Sequence, residues 1–375
     1  MTGLYLHIPF CRSKCAYCDF NSYTGREALI GPYLSAIAEE LAEPGRVWDG
    51  GDVFDTAYVG GGSPAMLEEA LPLILERLVA AGRLAPGAEV TVELNPEDAR
   101  PDALERLRAA GANRLSLGWQ ALDDGLLARI GRRHDGAAAR LSLVAARRAG
   151  YSDVGVDLIF GLPGQSLGDW RDTLERVVAA GPDHISTYAL TIEQDTPLAR
   201  AVANRGRKAM GVSLPTEDEA AWMYDRARAS LADAGYEHYE ISSFARSGHR
   251  CRHNLNYWHG GDYLGVGAGA HSHYQGRRWW CRSDPAEYIE AKVKVAGSER
   301  LNTRQRLSER LFLGLRLVEG ADIGRIEIEL GEKPEEVYAE PLARWRGLGL
   351  IAAGPRLALS PAGLSLANEV MADFV

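Results

Sequence analysis

The sequence has little cysteine: five residues in 375, of which three fall within one stretch of eight. An odd and clustered set does not suit a disulfide framework and is typical of a protein from a reducing compartment. Long apolar runs are also lacking, and a membrane-spanning helix would need about 18 such residues. The opening MTGLYLHIPF has no basic region before its apolar residues, so it does not resemble a signal peptide. We therefore predict a cytoplasmic protein.

An excess of positive charge is lacking as well. The 42 Lys and Arg residues are outnumbered by 51 Asp and Glu residues, which gives a net charge of −9. Binding to a phosphate backbone requires a basic surface, so no nucleic-acid partner is predicted. A 46% share of hydrophobic residues is ordinary for a globular protein.

What the first half does contain is a repeating pattern of apolar and helical segments. Six β-rich segments are each followed by residues with helical spacing: GLYLHIP, DTAYVGG, EVTVELNP, NRLSLGWQ, DVGVDLIFGLPG and HISTYALTI. Nearly continuous apolar character predicts parallel strands that are buried on both faces. We therefore predict an α/β fold with a partial or complete barrel of six βα units over residues 1–235. Residues 236–285 are predicted to connect it to a small, winged-helix-like α+β domain over residues 286–375.

The clustered cysteines are Cys11, Cys15 and Cys18, with the spacing C-x3-C-x2-C. Thiolates bind iron–sulfur clusters and zinc. Three ligands would leave the fourth iron of a [4Fe-4S] cluster open, and open coordination sites are where metals react. A structural zinc site is one alternative, although such sites use four ligands and no second pair of closely spaced cysteines follows. Three buried structural cysteines are the other alternative.

This loop, with Tyr17 before its last cysteine, resembles that of the radical S-adenosylmethionine (SAM) superfamily. The stretch YLHIPFCRSKCAYCDF is similar to the branch that contains oxygen-independent coproporphyrinogen III oxidase and the haem chaperone HemW, and the resemblance extends over residues 4–375. It implies a partial (β/α)6 radical SAM barrel in which Cys11, Cys15 and Cys18 hold a [4Fe-4S] cluster. The open iron would bind SAM, and the reduced cluster would cleave it to methionine and a 5′-deoxyadenosyl radical.

The same resemblance implies a set of SAM-binding residues. The turn GGGSP, residues 60–64, has glycines that let the backbone approach a polar ligand. The implied contacts are Tyr5, Tyr17, Gly61, Gly62, Ser63, Glu93, Gln120, Arg132 and Asp157. In the oxidase the last three positions belong to a second SAM site.

For several residues near these positions, the sequence does not decide whether they belong to the predicted SAM site. Trp119 stands where a small β-branched residue is expected, which affects the shape of the pocket near Gln120. By composition, Arg133 could take the place of Arg132. Tyr188 and Glu193 either line the same mouth or belong to the core and the surface.

A second motif is RHNLNYW, residues 252–258. The pattern H-N-x-x-Y-W resembles a motif proposed for haem contact in the chaperone branch, and it implies His253 as an axial ligand of haem iron. The alternative is a structural, hydrogen-bonded histidine. Cys251 and Cys281 are weaker candidates, since a free cysteine is usually a small apolar residue.

Position 20 separates the two members of the branch. The oxidase has a fourth cysteine there, and this chain has Phe20. The oxidase also has an N-terminal extension over its substrate mouth, whereas the first strand here is expected from about residue 4. We therefore predict a chaperone that passes haem to respiratory haemoproteins, with an electron donor and peripheral membrane contact as further expected partners.

Three other functions remain as alternatives, and catalytic turnover is left open. The first is oxidative decarboxylation of coproporphyrinogen III to protoporphyrinogen IX. The second is a radical SAM methyltransferase or cyclopropanase. The third is a pure haem-binding module on a barrel that no longer binds SAM, which the intact cysteines and GGGSP turn disfavour.

Overall fold

The computed structural model describes residues 1–42, 53–206 and 208–375, and a twelve-stranded sheet organises it. Six parallel strands follow one another in chain order: β1 (Thr2–Ile8), β2 (Phe54–Gly61), β3 (Leu84–Leu94), β4 (Arg114–Gln120), β5 (Val154–Phe160) and β6 (His184–Ala189). The helices that follow them are α1 (Ile30–Ala42), α2 (Ala70–Ala80), α3 (Pro101–Ala109), α4 (Asp124–Arg129), α5 (Gly136–Arg148), α6 (Leu167–Ala180) and α7 (Pro197–Arg205). Sequential pairing of this kind is the pattern of a βα barrel, not of a doubly wound sheet. The predicted α/β fold with six βα units is confirmed.

Six further strands extend the sheet beyond both outer strands of the barrel. They are β7 (Glu237–Glu240), β8 (Ser243–Ala245), β9 (Asp262–Val266), β10 (His271–Tyr274), β11 (Arg277–Cys281) and β12 (Val295–Arg300). Helices α8 (Glu217–Asp233), α9 (Arg252–Trp258) and α10 (Pro285–Glu290) lie before or between them. Since β9 pairs in parallel with β1 and β8 pairs antiparallel with β6, the barrel stays partial.

The segment 236–285, predicted as a connection, thus contributes five strands to the sheet. The sheet ends at Arg300. We propose that the α/β unit extends to this residue and that the C-terminal unit begins after it.

The sequence specifies these elements through burial and helix ends. In β5, VGVDLIF, every residue except Asp157 is buried, as expected for a strand covered on both faces. Helix α6 begins with a capping box in which Ser166 and Asp169 satisfy each other's backbone N–H groups. It ends at Gly181, whose φ of 70° places it in the left-handed region that glycine adopts most easily. The helix therefore has a defined length, and β6 starts in register with β5.

The C-terminal unit is mainly helical. Its helices are α11 (Thr303–Leu315), α12 (Ile323–Leu330), α13 (Pro334–Val337), α14 (Ala339–Gly347), α15 (Pro361–Ser365) and α16 (Ala367–Ala372). Two isolated β-bridges, Ala321 with Leu357 and Ile351 with Leu359, give it a small β element. This arrangement agrees with the predicted small α+β domain. None of the helices in the described part of the chain combines the length and the apolar character of a membrane span.

Candidate functional site

The three clustered cysteines lie on the loop after β1, at the carboxyl end of the barrel strands. Cys11 N donates a hydrogen bond to Tyr23 O at 2.9 Å, and Ala16 N donates to Ile130 O at 3.0 Å, so the loop is held at both ends. The thiols are free and partly buried. Burial raises the pKa of Cys11 and Cys18, and binding of a metal cluster would therefore release protons here. Three unpaired thiols on an anchored loop fit the donor set of an iron–sulfur cluster.

The glycine turn at the end of β2, residues 60–64, packs directly on this loop. Ser63 N donates to Phe10 O at 2.7 Å. A Cβ added at Gly62 would lie 2.6 Å from Phe10 O and 3.1 Å from Cys11 Sγ, so the space admits only glycine. The turn therefore brings bare backbone next to the cysteines, where N–H groups can bind a polar ligand.

This packing predicts the effect of Gly62→Ala. We expect the variant to be destabilised by roughly 1–3 kcal/mol, because an overpacked contact must displace backbone. It should also take up less iron during cluster reconstitution, since the displaced loop carries Cys11. Thermal unfolding and iron content measure both effects. Gly31→Ala is the matched control, because an added Cβ there meets nothing within 4 Å. Equal behaviour of the two variants would contradict the close packing.

Glu93 lies at the end of β3, and β2 holds its carboxylate. The Tyr58 hydroxyl donates to Glu93 Oε1 at 2.7 Å, and Gly61 N donates to Oε2 at 3.2 Å. Burial raises the pKa of Glu93 to about 7; the Tyr58 hydrogen bond opposes this rise and the nearby Asp157 adds to it. This carboxyl therefore changes charge near neutral pH, which is typical of residues in functional sites.

Two more polar side chains enter the same space from β4 and β5. Asp157 accepts a hydrogen bond from Ser116 Oγ at 2.8 Å, and burial raises its pKa. Gln120 has a φ of 55°, a left-handed value that is uncommon outside glycine. Its Oε1 is buried and has no hydrogen-bond partner in the described part of the chain. A strained residue with an unsatisfied buried oxygen is well suited to bind a ligand.

Arg132 links the cysteine loop to two strands. Its guanidinium donates to Asn95 Oδ1 and Gly118 O, each at 2.8 Å, and lies 3.6 Å from Cys15 Sγ. Arg133 is exposed. Both arginines line the cavity at the barrel mouth, and Arg132 is the one whose guanidinium lies against Cys15.

These groups line one cavity of about 370 Å³. The predicted residues in it are Cys11, Cys15, Tyr17, Cys18, Gly61, Gly62, Ser63, Glu93, Gln120, Arg132, Asp157, Tyr188 and Glu193. The volume is within the range of small-molecule sites. The two half-buried carboxyls, Glu93 and Asp157, favour a ligand with positive charge, and SAM carries such a charge on its sulfonium sulfur.

Two residues lie elsewhere than expected. Tyr5 lines a neighbouring cavity, where its hydroxyl is 2.9 Å from His7 Nδ1. Trp119 is fully buried, and its Nε1 donates to Ser142 Oγ on α5 at 3.1 Å. Its ring thus lies between sheet and helices, and it does not shape the cavity around Gln120.

His253 is buried within α9 and is 1% exposed. Its Nδ1 lies 2.9 Å from Thr56 Oγ1, and its Nε2 lies 2.9 Å from the Tyr257 hydroxyl. Burial lowers its pKa to about 3, so the imidazole is neutral. Ligation of iron would require one of these two bonds to break. The role of His253 as a haem ligand stays a prediction, and the geometry argues against it.

The two remaining cysteines are buried, and each lies near a carboxylate. Cys251 Sγ lies 3.6 Å from Glu89 Oε1, and Cys281 Sγ lies 3.7 Å from Glu40 Oε1. Burial raises the pKa of both thiols. Neutral, buried thiols of this kind are structural residues.

Sequence reasoning missed the residues that hold the ligand-facing carboxylates. Tyr58 binds Glu93 and Ser116 binds Asp157. Tyr58 lies two residues before Gly60, and Ser116 lies two residues before Gly118. Since side chains two apart along a strand share a face, alternation along β2 and β4 was the available signal.

Comparison with known proteins identifies two parts of the chain. The family model described as "Radical SAM superfamily" matches residues 5–177. The model described as "HemN C-terminal domain" matches residues 301–366, which agrees with the end of the sheet at Arg300.

Relatives of similar length match nearly the whole chain. A Mycobacterium tuberculosis protein named "Heme chaperone HemW" is 39% identical, over 98% of this chain and 93% of that protein. A Bacillus subtilis protein of the same name is 32% identical, over 100% and 99%. Among solved structures, coproporphyrinogen III oxidase HemN from Escherichia coli superposes with a TM-score of 0.84. It covers 100% of this chain and 89% of the oxidase chain at 24% identity, so this likeness shows the fold.

Proposed function

Because the chain belongs to the HemW family of haem chaperones within the radical SAM superfamily, we propose that it binds haem and delivers it to haem-requiring proteins. We further propose that a [4Fe-4S] cluster and SAM occupy the barrel mouth. The observation that carries this second part is one cavity shared by three thiols, a side-chain-free glycine turn and two half-buried carboxyls.

Each proposed SAM contact has a physical basis in this chain. Cys11, Cys15 and Cys18 would hold the cluster, which supplies the electron that cleaves SAM when it is reduced. The backbone at Gly61 and Gly62 can approach the amino acid part of SAM closely because no side chain intervenes. Glu93, already oriented by two hydrogen bonds, can accept a further one from a ribose hydroxyl.

The remaining polar groups would complete the cavity. Gln120 offers its unsatisfied oxygen, and Asp157 offers a half-buried carboxyl. Arg132 fixes the relative positions of the cysteine loop, of β4 at Gly118 and of Asn95 just after β3. It is thus placed to resist movement of the cluster ligands when SAM binds.

The second candidate function is oxidation of coproporphyrinogen III, which the shared fold and the HemN C-terminal domain favour. Position 20 argues against the oxidase function, since this chain has Phe20 where the oxidase pattern has a cysteine. Phe20 is 61% exposed and lines the mouth of the cavity.

One anaerobic experiment separates the two functions. The protein is reconstituted with its cluster, reduced and supplied with SAM, and then offered haem or coproporphyrinogen III. We expect stoichiometric haem binding, followed by transfer to a haem-free b-type respiratory haemoprotein, and no protoporphyrinogen. Formation of protoporphyrinogen would refute the chaperone proposal in favour of the oxidase.

The proposed function implies further partners. The recipients are haem-requiring respiratory proteins, and reduction of the cluster requires an electron donor. We propose that the chain works in the cytoplasm and approaches the membrane at its periphery when a recipient resides there. Co-sedimentation with lipid vesicles, with and without a membrane-embedded recipient, measures that contact; binding to bare vesicles would show an anchor of the chain's own.

A further inference from the structure

Two cavities outside the barrel mouth adjoin along one wall. The aromatic cavity, of about 400 Å³, lies between β1, the cysteine loop and β10. The arginine cavity, of about 580 Å³, lies between α9, β10 and α11. Tyr257, Tyr263 and His271 line both of them. The two cavities therefore form one groove, which runs from the cysteine loop towards the C-terminal unit.

We propose that this groove is the haem site, with His271 as a ligand of the iron and Arg306 as the partner of a propionate. The inference rests on the proposed haem-chaperone function and adds the place where the haem is held.

His271 is exposed at the start of β10, and a neighbour holds its ring in place. The ring stacks on Trp280, with centroids 6.0 Å apart and 26° between the planes. Its nitrogens make no hydrogen bond within the described ranges 1–42, 53–206 and 208–375. Burial and the charge of Arg278 lower the pKa of His271, which favours the neutral imidazole that ligates haem iron. His271 is therefore held in one orientation and has ring nitrogens available to bind iron, whereas both ring nitrogens of His253 lie against hydroxyl groups.

The HNxxYW segment contributes to the groove through Tyr257. The ring of Tyr257 meets that of Tyr263 nearly edge-on, with centroids 4.5 Å apart. Together they give an aromatic wall next to His271, which suits the flat, apolar face of a porphyrin. Since His253 Nε2 lies 2.9 Å from the Tyr257 hydroxyl, His253 is a positioning residue for this wall.

The far end of the groove carries three arginines, which differ in how they are paired. Arg278 pairs with Glu309, and Arg310 pairs with Glu329 at 2.5 Å. Arg306 is exposed, lines the arginine cavity and has no carboxylate partner in the part of the chain that the structure describes. A guanidinium without such a partner, at the end of a groove that has an aromatic wall, is a good partner for a carboxylate. The propionates leave one edge of the porphyrin, so they can reach this end while the ring lies against the aromatic wall.

The near end of the groove adjoins the barrel mouth. Phe20, Gly61 and Glu93 line both the aromatic cavity and the cavity at the barrel mouth. Haem in the groove would therefore lie next to the cysteine loop, and it would cover the exposed ring of Phe20. Burial of an exposed aromatic side chain adds favourable contact area to binding.

The test titrates haem into the full-length, cluster-reconstituted protein under anaerobic conditions. The Soret band and the resonance Raman spectrum report the iron ligands, and retained cluster content shows that each variant folds. We expect His271→Ala to bind haem at least tenfold more weakly and to lose the spectrum of nitrogen-ligated iron. Added imidazole should restore that spectrum, which a purely structural defect would not allow.

Two other histidines serve as comparisons. His259 follows directly after α9, is exposed and lines neither cavity. His259→Ala should therefore bind haem like the wild-type protein. His253→Ala should keep the ligand spectrum and bind a few-fold more weakly, because Tyr257 loses its support. An unchanged Soret band and affinity in His271→Ala, or loss of the ligand spectrum in His253→Ala alone, would overturn the assignment. Wild-type protein that binds no haem would refute the proposed function itself, and the groove with it.

The propionate contact has its own test, with haem and its dimethyl ester as the two probes. The wild-type protein should prefer haem, and Arg306→Ala should bind both equally. Arg304→Ala, an exposed residue of the same helix outside both cavities, should keep the preference. If the preference survives Arg306→Ala, Arg306 is not the propionate partner.

Discussion

Replacement of Cys15 by alanine is expected to abolish the iron–sulfur cluster and, with it, the cleavage of SAM. Two thiols on the loop would be left to hold the cluster, and Arg132 would lose the sulfur that lies 3.6 Å from its guanidinium. Because cluster affinity depends on a complete set of thiolate ligands, we expect a near-total loss, not a graded one. Iron and sulfide content, the visible absorption of the reconstituted protein and the yield of 5′-deoxyadenosine measure it.

The control removes a cysteine outside the loop. Cys281 is buried near Glu40, on the strand β11, and lines none of the three cavities. Cys281→Ala should therefore keep its cluster. A Cys15→Ala protein that retains a full complement of iron and cleaves SAM would refute the assignment of the loop as the cluster site.

Replacement of Glu93 by glutamine is expected to weaken SAM binding and to stabilise the ligand-free protein at the same time. The lost charge-assisted hydrogen bond corresponds to roughly 10- to 100-fold in affinity, from about 1.5–3 kcal/mol. Isothermal titration of SAM into the reconstituted protein gives this number. The same titration on the wild-type protein should show affinity falling as the pH drops below about 7, where Glu93 becomes protonated.

The stability effect follows from the raised pKa. In the folded protein the pKa of Glu93 is about 7, against 4.5 for the free side chain. The protonated form is the one that folding favours, so the contribution of Glu93 to stability is fully present below pH 4.5. It is lost as the pH rises to about 7. Over this pH range the free energy of unfolding falls by on the order of 2 kcal/mol. This is less than the full pKa difference implies, because solvent in the open cavity screens the charge.

Glutamine cannot ionise, so the Glu93→Gln protein should lack this part of the pH dependence. Denaturant unfolding of the ligand-free protein at several pH values between 4.5 and 8 measures it. The control Glu76→Gln makes the same change on the exposed face of α2 and should follow the wild-type curve. If the free energy of unfolding depends on pH in the same way for wild type and Glu93→Gln, the pKa of Glu93 is not raised in the folded protein.

The barrel and the cluster loop could be predicted from sequence because both are local patterns. VGVDLIF is a buried strand by its own composition, and three cysteines within eight residues need no partner from elsewhere in the chain. Gly62 and Glu93 were assigned to the cavity by the resemblance to the family. For Glu93 its place near the carboxyl end of a parallel strand supports the same assignment, because such strand ends meet at one edge.

The residues that were missed or misplaced depend on distant segments. Tyr5 was expected in the barrel mouth, but the strand paired next to it is β9, so its side chain lies in the aromatic cavity. His253 looked like a free ligand in the motif, yet Thr56, almost 200 positions earlier, occupies its Nδ1. His271 and Arg306 come together only through the antiparallel strands after residue 262. These contacts form only in the tertiary structure, so the local spacing of residues in the sequence does not predict them.

The position of β1 in the sheet has a consequence for how the protein is made. It leaves the ribosome well before β9, yet Thr2–Leu6 pairs with Asp262–Val266 along one of its edges. At 5–20 residues per second, that partner is synthesised roughly 13–50 s later. Until then β1 has an unpaired edge, the kind of surface that recruits other chains, directly beside three uncapped thiols. In the nascent chain the cysteine loop thus lies next to an open strand edge, and pairing with β9 closes that edge only after residues 262–266 have been made.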